Sequence, residues 1–186
     1  MTVPNLITAI RIILAPVFII YLINDQFILA LIVFVICGVS DGIDGLIARI
    51  FNQKSTLGTY LDPIADKIVL VSAFIALSVR SSLPPWLTVM VIARDIMIFL
   101  GVFVLFLNRL DLNIKPSILS KITTCLQFIT VIAVLSKEYL PFSSNYFLYI
   151  FYITALFTIS SGLHYMYYWF KVMGDGADDS ERSKSG

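Results

Sequence analysis

Apolar residues occur along this chain in six long runs that are separated by short polar breaks. The runs are Leu6–Ile23, Phe27–Ile50, Gly58–Val79, Trp86–Leu107, Ser117–Leu135 and Tyr146–Phe170. Each run is close to the roughly 20 residues that a helix needs to cross a bilayer, and the short alternating segments of a membrane β-barrel are absent from the sequence. The pattern predicts an all-α fold, an integral membrane bundle of six transmembrane helices in one domain covering residues 1–173.

Composition supports the same class of protein. Hydrophobic residues make up 59% of the chain and charged residues only 13%, which is too little polar surface to cover a water-soluble globule. Residues 174–186 are instead polar and rich in small side chains, so we expect them to form a disordered cytoplasmic tail. No basic run indicates binding to nucleic acid.

The distribution of lysine and arginine between the predicted loops indicates the orientation. If the N-terminus is cytoplasmic, the inner segments hold Arg49, Lys54, Arg109, Lys115, Lys171, Arg182 and Lys184, and the outer segments hold Arg80 and Lys137. Cytoplasmic loops carry the excess of basic residues in membrane proteins. Both termini are therefore predicted to face the cytoplasm.

Apart from Arg49, which is counted above with the inner segments, nine charged residues fall inside the predicted spans, where each would cost about 2.5–3.5 kcal/mol at the helix centre. They are Arg11, Asp41, Asp44, Asp62, Asp66, Lys67, Arg94, Asp95 and Lys121. The predicted orientation gathers nearly all of them in the cytoplasmic half of the bundle, in one polar chamber. Arg94 with Asp95, and Lys67, could form ion pairs that hold the bundle together. This interpretation is as well supported as a direct role in the chemistry of the site.

The four aspartates have the spacing of a metal site. Asp41 and Asp44 share one face of the second predicted helix, and Asp62 and Asp66 share one face of the third. A short loop joins these helices as an antiparallel pair, so the four carboxylates can converge, and unpaired they would repel one another. Oxygen ligands of this kind select Mg²⁺ or Mn²⁺, and two such ions suit phosphoryl transfer.

The same stretch resembles a family signature. Asp41-x2-Asp44-Gly45-x2-Ala48-Arg49-x8-Gly58-x3-Asp62-x3-Asp66 matches that of the CDP-alcohol phosphotransferase family at eight fixed positions over 26 residues. The resemblance implies a six-helix membrane enzyme that transfers a substituted phosphate group from a CDP-linked donor to an alcohol and releases CMP.

The resemblance also implies roles for individual residues. Asp41, Asp44 and Asp62 would bind the metal ions, and Asp66 would complete the metal site and act as the catalytic base. Contacts to the CDP-linked donor would come from Asn5, Thr8, Gly45, Ala48, Arg49, Ser55, Thr56 and Gly58. A homodimer in the bacterial inner membrane, with its active site facing the cytoplasm, is expected on the same basis.

Two further segments resemble the glycerol-acceptor branch of the family, IARD at Ile92–Asp95 and KPSILSKITT at Lys115–Thr124. This branch includes CMP-forming cardiolipin synthases and phosphatidylglycerophosphate synthases, and its donor is CDP-diacylglycerol. Arg94 and Lys121, with Arg11 as a further candidate, would bind the phosphate of the acceptor. Asp95 and the amino-acid sequence of these segments favour phosphatidylglycerol as the acceptor, and glycerol 3-phosphate is the alternative.

An ion-coupled transporter is the alternative from a different class, since transporters also place carboxylates near breaks in membrane helices. A transporter needs a polar path across the whole membrane. In this chain the charges concentrate in the inner half and the outer half is apolar, so the distribution favours an enzyme. A non-catalytic scaffold has no specific support.

Overall fold

The computed structural model describes the backbone of residues 3–51, 56–107, 117–137, 139 and 144–184, and the side chains of residues 13–40, 67–101, 103–104, 117–137, 139 and 145–170. These residues form six helices and no strand: α1 (Val3–Ile23), α2 (Phe27–Phe51), α3 (Thr56–Val79), α4 (Pro85–Leu107), α5 (Ile118–Leu135) and α6 (Ser144–Lys184). The all-helical prediction is confirmed, and each helix coincides with one of the six apolar runs.

Helix α6 extends beyond the predicted span. The apolar run ends at Phe170, whereas the helix continues to Lys184, so residues 174–184 have helical backbone where composition predicts a disordered tail. No proline occurs in the sequence after Pro141, so the covalent chain permits the helix to continue.

The turns that follow α1 and α3 meet at one end of the bundle. Arg80 donates hydrogen bonds to the carbonyl oxygens of Leu22 and Ile23, at 2.8 and 3.3 Å, and forms an ion pair with Asp25. These carbonyls belong to the last turn of α1, where a cation is favourable because the helix leaves its final carbonyl groups without helical partners. Asp25 and Ser81 have positive φ, at 60° and 57°, as expected in tight turns. The ends of α1 and α3 are thereby tied together.

Aromatic and branched side chains fill the interior between α1, α2 and α3. Phe18, Phe34 and Phe74 are fully buried, and the rings of Phe18 and Phe34 lie 5.7 Å apart. Phe34 also stacks on Phe128 of α5 at 4.5 Å. Helices α4 and α5 pack on α6. The first group of three helices contacts this second group where α2 meets α5 and where α3 meets α4 and α5.

The outer surface of the described helices is strongly apolar. On α6, Leu148, Tyr152, Leu156 and Leu163 are all exposed, a continuous face of a kind that a water-soluble monomer rarely presents. Within the described residues, Ile118–Leu135 and Asn145–Phe170 are long and apolar enough to cross a membrane, and shorter apolar helical stretches occur at Ile13–Ile23, Phe27–Ser40 and Lys67–Val79. This is consistent with a membrane bundle; the number of spans and the side on which the termini lie stay predictions.

The contact between α5 and α6 is polar, although it is buried. Six residues, which we call the hydroxyl seam, line it: Thr123, Gln127, Thr130, Thr154, Thr158 and Ser161, all at most 1% exposed. The Thr130 and Thr154 hydroxyls are 2.7 Å apart, and the Gln127 amide nitrogen donates to the Thr158 hydroxyl at 3.4 Å. A polar interior with an apolar exterior is typical of helix packing in lipid.

Candidate active site

The predicted metal-binding aspartates lie on two consecutive helices at matching depths. Asp41 and Asp44 are near the end of α2, and Asp62 and Asp66 are near the start of α3; four residues separate the two helices. At 1.5 Å per residue, Asp44 and Asp62 are about 10 and 9 Å from the facing ends of their helices, and Asp41 and Asp66 are about 15 Å from them. Because α2 and α3 are in contact, the backbone brings the four positions to one region of the bundle.

The side chains of these aspartates lie outside the described residues, as do those of the predicted donor contacts. The backbone assigns Asn5, Thr8 and Arg11 to α1, Gly45, Ala48 and Arg49 to α2, and Thr56 and Gly58 to α3, and Ser55 falls outside the described chain. Among the side chains that the structure does describe, no three acidic, histidine or cysteine residues form a metal-binding group. A set of four carboxylates on two adjacent helices has the donor chemistry that Mg²⁺ or Mn²⁺ requires, so the residues present fit the metal prediction.

A polar cluster links four of the helices, α3 to α6. We call it the Arg94 cluster, and it consists of Lys67, Arg94, Asp95, Ser120 and Ser161. Lys67 Nζ and Arg94 Nη1 both lie 2.7 Å from the same oxygen, Asp95 Oδ1. Arg94 Nη2 donates to the Ser120 and Ser161 hydroxyls at 2.6 and 2.8 Å. One guanidinium group thus connects α4 with α5 and α6, and one carboxylate connects α4 with α3.

The cluster is buried at its centre and more open at Lys67. The side chain of Arg94 is 4% exposed, that of Asp95 is 11% exposed and that of Lys67 is 39% exposed. Two buried atoms, Arg94 Nε and Asp95 Oδ2, have no hydrogen-bond partner among the described residues. Lys67 directly follows Asp66, one of the predicted metal-binding residues, in the chain.

The two main residues predicted to bind the acceptor phosphate differ in exposure. Arg94 is buried in the cluster, where the ion pair with Asp95 that the sequence suggested is confirmed. Lys121 has an exposed side chain, and it follows Ser120, whose hydroxyl accepts from Arg94.

Sequence reasoning missed Ser120 and Ser161 as members of the site. Ser120 lies in the first turn of α5, where its backbone N–H donates to the side chain of the N-cap residue Ser117 at 3.1 Å. Small hydroxyl residues are common in membrane helices because they permit close packing. Neither serine therefore carries a signal in the sequence that distinguishes a ligand of Arg94 from a packing residue.

Comparison with known proteins decides the family. The family model described as CDP-alcohol phosphatidyltransferase matches residues 1–160. The chain belongs to this family. The matched segment of this CDP-alcohol phosphatidyltransferase contains the eight-residue signature, every predicted site residue from Asn5 to Lys121, and the Arg94 cluster apart from Ser161.

Curated relatives include proteins from both parts of the glycerol-acceptor branch. The chain is 34% identical to a CMP-forming cardiolipin synthase of Rattus norvegicus and 35% identical to one of Homo sapiens, in each case over 90% of the chain and 61% of the relative. It is 29% identical to a CDP-diacylglycerol–glycerol-3-phosphate 3-phosphatidyltransferase of Aquifex aeolicus, over 72% of the chain and 75% of the relative. The chain therefore spans about three fifths of the length of the two mammalian relatives.

Proposed function

We propose that this protein is a metal-dependent membrane enzyme that transfers the phosphatidyl group from CDP-diacylglycerol to a glycerol-based acceptor and releases CMP. The observation that carries the proposal is the complete family signature on two consecutive helices, with its four aspartates at matching depths. Phosphatidylglycerol is the favoured acceptor, because two relatives that align over 90% of the chain are named CMP-forming cardiolipin synthases.

The donor and the metal ions would be held by α1, α2 and α3. Two Mg²⁺ or Mn²⁺ ions would be held by the four aspartates, Asp41, Asp44, Asp62 and Asp66. When bound, these ions would neutralise the diphosphate and stabilise the negative charge that develops on the departing CMP. Asn5 and Thr8 of α1, Gly45, Ala48 and Arg49 of α2, and Ser55, Thr56 and Gly58 at the start of α3 would contact the CDP-linked donor. Arg49 offers a planar fork of donors that matches phosphate oxygens.

Asp66 is the catalytic base in this mechanism. Its carboxylate accepts the proton of the acceptor hydroxyl, whose oxygen forms a bond to the phosphorus of the phosphatidyl group. The bond between that phosphorus and the bridging oxygen of the diphosphate breaks, and CMP leaves with the electron pair. The transfer is direct, with no covalent intermediate on the protein.

Arg94 and Lys121, with Arg11 as a further candidate, would attract the acceptor's phosphate. The Arg94 guanidinium makes three hydrogen bonds to Asp95, Ser120 and Ser161, which leaves two of its five N–H donors for a ligand. Glycerol 3-phosphate is the alternative acceptor, and the named activity of the Aquifex aeolicus relative supports it.

The apolar exterior supports an integral membrane location. We place the enzyme in the bacterial inner membrane as a homodimer, with the site on the cytoplasmic side.

The reaction and the role of Asp66 are tested with purified protein, CDP-diacylglycerol, Mg²⁺ or Mn²⁺ and phosphatidylglycerol, with CMP release as the measurement. Removal of a general base typically costs 10²–10⁴-fold, so Asp66→Asn is expected to lower the rate by about 10²-fold or more. Asp25→Asn is the matched control, because Asp25 pairs with Arg80 at another part of the bundle, and it is expected to keep its activity. CMP release that persists in excess chelator, or a fully active Asp66→Asn variant, contradicts the mechanism.

A further inference from the structure

Acceptors on two other helices hold the guanidinium group of Arg94. Its Nη2 nitrogen carries two hydrogens and donates to the hydroxyl oxygens of Ser120 on α5 and Ser161 on α6, at 2.6 and 2.8 Å. Its Nη1 nitrogen donates to Asp95 Oδ1 at 2.7 Å. Three of the five N–H donors are therefore used, and Nε–H and one N–H of Nη1 are left for a ligand.

The two serines differ in their access to a ligand. Ser120 is half-buried, whereas Ser161 is 0% exposed. The hydrogen bond from Arg94 to Ser161 is buried, and the one to Ser120 is only partly buried. Ser161 therefore lies out of reach of an acceptor that enters the site, and any influence that it has on the acceptor must pass through Arg94.

Ser161 belongs to the stripe of α6 that faces the bundle interior. Thr158 and Tyr165, which share this face of the helix with it, are 1% and 7% exposed. The next residue, Gly162, has no side chain, and a Cβ atom built there would lie 3.8 Å from Arg94 Cγ. Helix α6 thus lies against both the aliphatic part and the guanidinium group of Arg94.

Asp95 offers Arg94 a competing arrangement. Arg94 Nη1 and Lys67 Nζ both pair with Oδ1 of its carboxylate, while Oδ2 is buried with no partner among the described residues. Arginine and carboxylate groups readily form two parallel hydrogen bonds. A guanidinium group released from Ser161 would be free to turn Nη2 toward Oδ2, and such a bidentate pair would leave less of its charge for a ligand.

We propose that Ser161 is a positioning residue for the acceptor. It holds Nη2 of Arg94 in the contact between α5 and α6, disfavours the bidentate pair with Asp95, and so keeps the remaining N–H donors available for an oxygen of the acceptor's phosphate. The inference rests on the proposed function, since it concerns the acceptor of that reaction, and it applies to a phosphodiester and to a phosphomonoester alike.

The test compares KM for the acceptor with KM for the donor, measured by CMP release from the purified protein with Mg²⁺ or Mn²⁺. Phosphatidylglycerol and glycerol 3-phosphate are each varied at saturating CDP-diacylglycerol, and CDP-diacylglycerol is then varied at a fixed acceptor concentration. Ser161→Ala removes the hydroxyl group without adding bulk. Its KM for the acceptor is expected to rise about tenfold, which corresponds to about 1.4 kcal/mol of lost binding, while its KM for CDP-diacylglycerol stays unchanged.

Three further variants separate positioning from helix packing. Thr154→Val removes a hydroxyl group of the same α6 face that pairs with Thr130, and it is expected to keep both KM values. Ser120→Ala removes the other acceptor of Nη2 and is expected to raise KM for the acceptor as well. Arg94→Lys has no Nη2 atom, so the addition of Ser161→Ala to it is expected to raise KM for the acceptor no further.

The outcomes separate this inference from the proposed function. CMP release with an unchanged acceptor KM in Ser161→Ala overturns the positioning role alone, as does an equal rise of the acceptor KM in Thr154→Val. No CMP release by the wild type with either acceptor overturns the proposed function and this inference with it. Should Ser161→Ala fail to fold, Ser161→Cys decides the question, because a thiol is only a weak hydrogen-bond acceptor and a wild-type acceptor KM in this variant overturns the inference.

Discussion

Gly101 shows how closely single residues are packed where α4 meets α6. A Cβ atom built on Gly101 would lie 0.8 Å from Cζ2 and 1.3 Å from Cε2 of the Trp169 indole. The ring occupies the space that any side chain at this position would need. Gly162 differs, because a Cβ there would meet only Arg94 Cγ, at an ordinary contact distance of 3.8 Å.

Gly101→Ala is therefore expected to destabilise the protein by about 1–3 kcal/mol, the usual cost of overpacking. Thermal unfolding in detergent measures the change, and Gly162→Ala is the matched control that adds the same methyl group to another glycine. In a Trp169→Ala background, Gly101→Ala should lose most of its effect. An equal loss of stability in both backgrounds would contradict the packing account.

At the scale of elements, the α5–α6 contact depends on hydroxyl groups rather than on apolar side chains. Thr130 donates its proton to the Leu126 carbonyl oxygen at 2.8 Å, so Thr154 must supply the hydrogen of the 2.7 Å contact between the two hydroxyls. Thr158 in turn donates to the Thr154 carbonyl oxygen at 2.7 Å. The hydroxyl seam continues to Ser161, which accepts from Arg94, and so joins helix packing to the Arg94 cluster.

Thr154→Val removes the donor of the interhelical bond with little change in volume. Hydrogen bonds between membrane helices contribute about 0.6 kcal/mol on average, so a loss of that order is expected from thermal or denaturant unfolding in detergent. Thr130→Val should cost about as much, and the double variant should cost less than the two losses added together. Thr124→Val is the control, because the Thr124 hydroxyl bonds only within α5, to the Ser120 carbonyl oxygen. Fully additive losses would show that the two hydroxyls do not interact.

At the scale of the whole molecule, two sets of contacts show which helix ends lie near one another in the bundle. Arg80 ties the turn after α3 to the end of α1, and Trp86 near the start of α4 stacks on Tyr152 near the start of α6, with ring centroids 5.8 Å apart. The first turns of α6 therefore lie near the start of α4. This arrangement agrees with the alternation of six antiparallel helices.

Labelling from one side of the membrane tests this arrangement. In a protein whose native Cys37 and Cys125 are replaced by alanine, Ser81→Cys and Lys137→Cys are expected to react with a membrane-impermeant maleimide from the side opposite the cytoplasm. Lys115→Cys, which precedes α5 in the sequence whereas Lys137 follows it, is expected to react only after the membrane is opened. Reaction of all three from the same side would contradict the six-span topology.

The pattern of apolar runs predicted all six helices because the lengths of the runs follow directly from the thickness of a bilayer and the rise of a helix. The exception is α6, which continues beyond Phe170 through polar residues to Lys184. Hydropathy predicts where an apolar span ends, whereas the helical backbone can continue beyond that point. The spacing of Asp41, Asp44, Asp62 and Asp66 predicts a metal site, since residues three and four apart share a helix face. The side chains of these aspartates lie outside the described residues, so the site stays a prediction.

By itself, the sequence therefore determined the helices, the family signature and the carboxylates that a buried site requires. Only the tertiary structure decided which groups compensate the charges on the other helices. Asp95 pairs with both Arg94 and Lys67, and the hydroxyls of Ser120 and Ser161 accept hydrogen bonds from the Arg94 guanidinium group. The periodicity of a single helix says which residues share a face but not which neighbour that face meets. That choice depends on how the helices rotate and approach one another, as the indole of Trp169 over Gly101 shows.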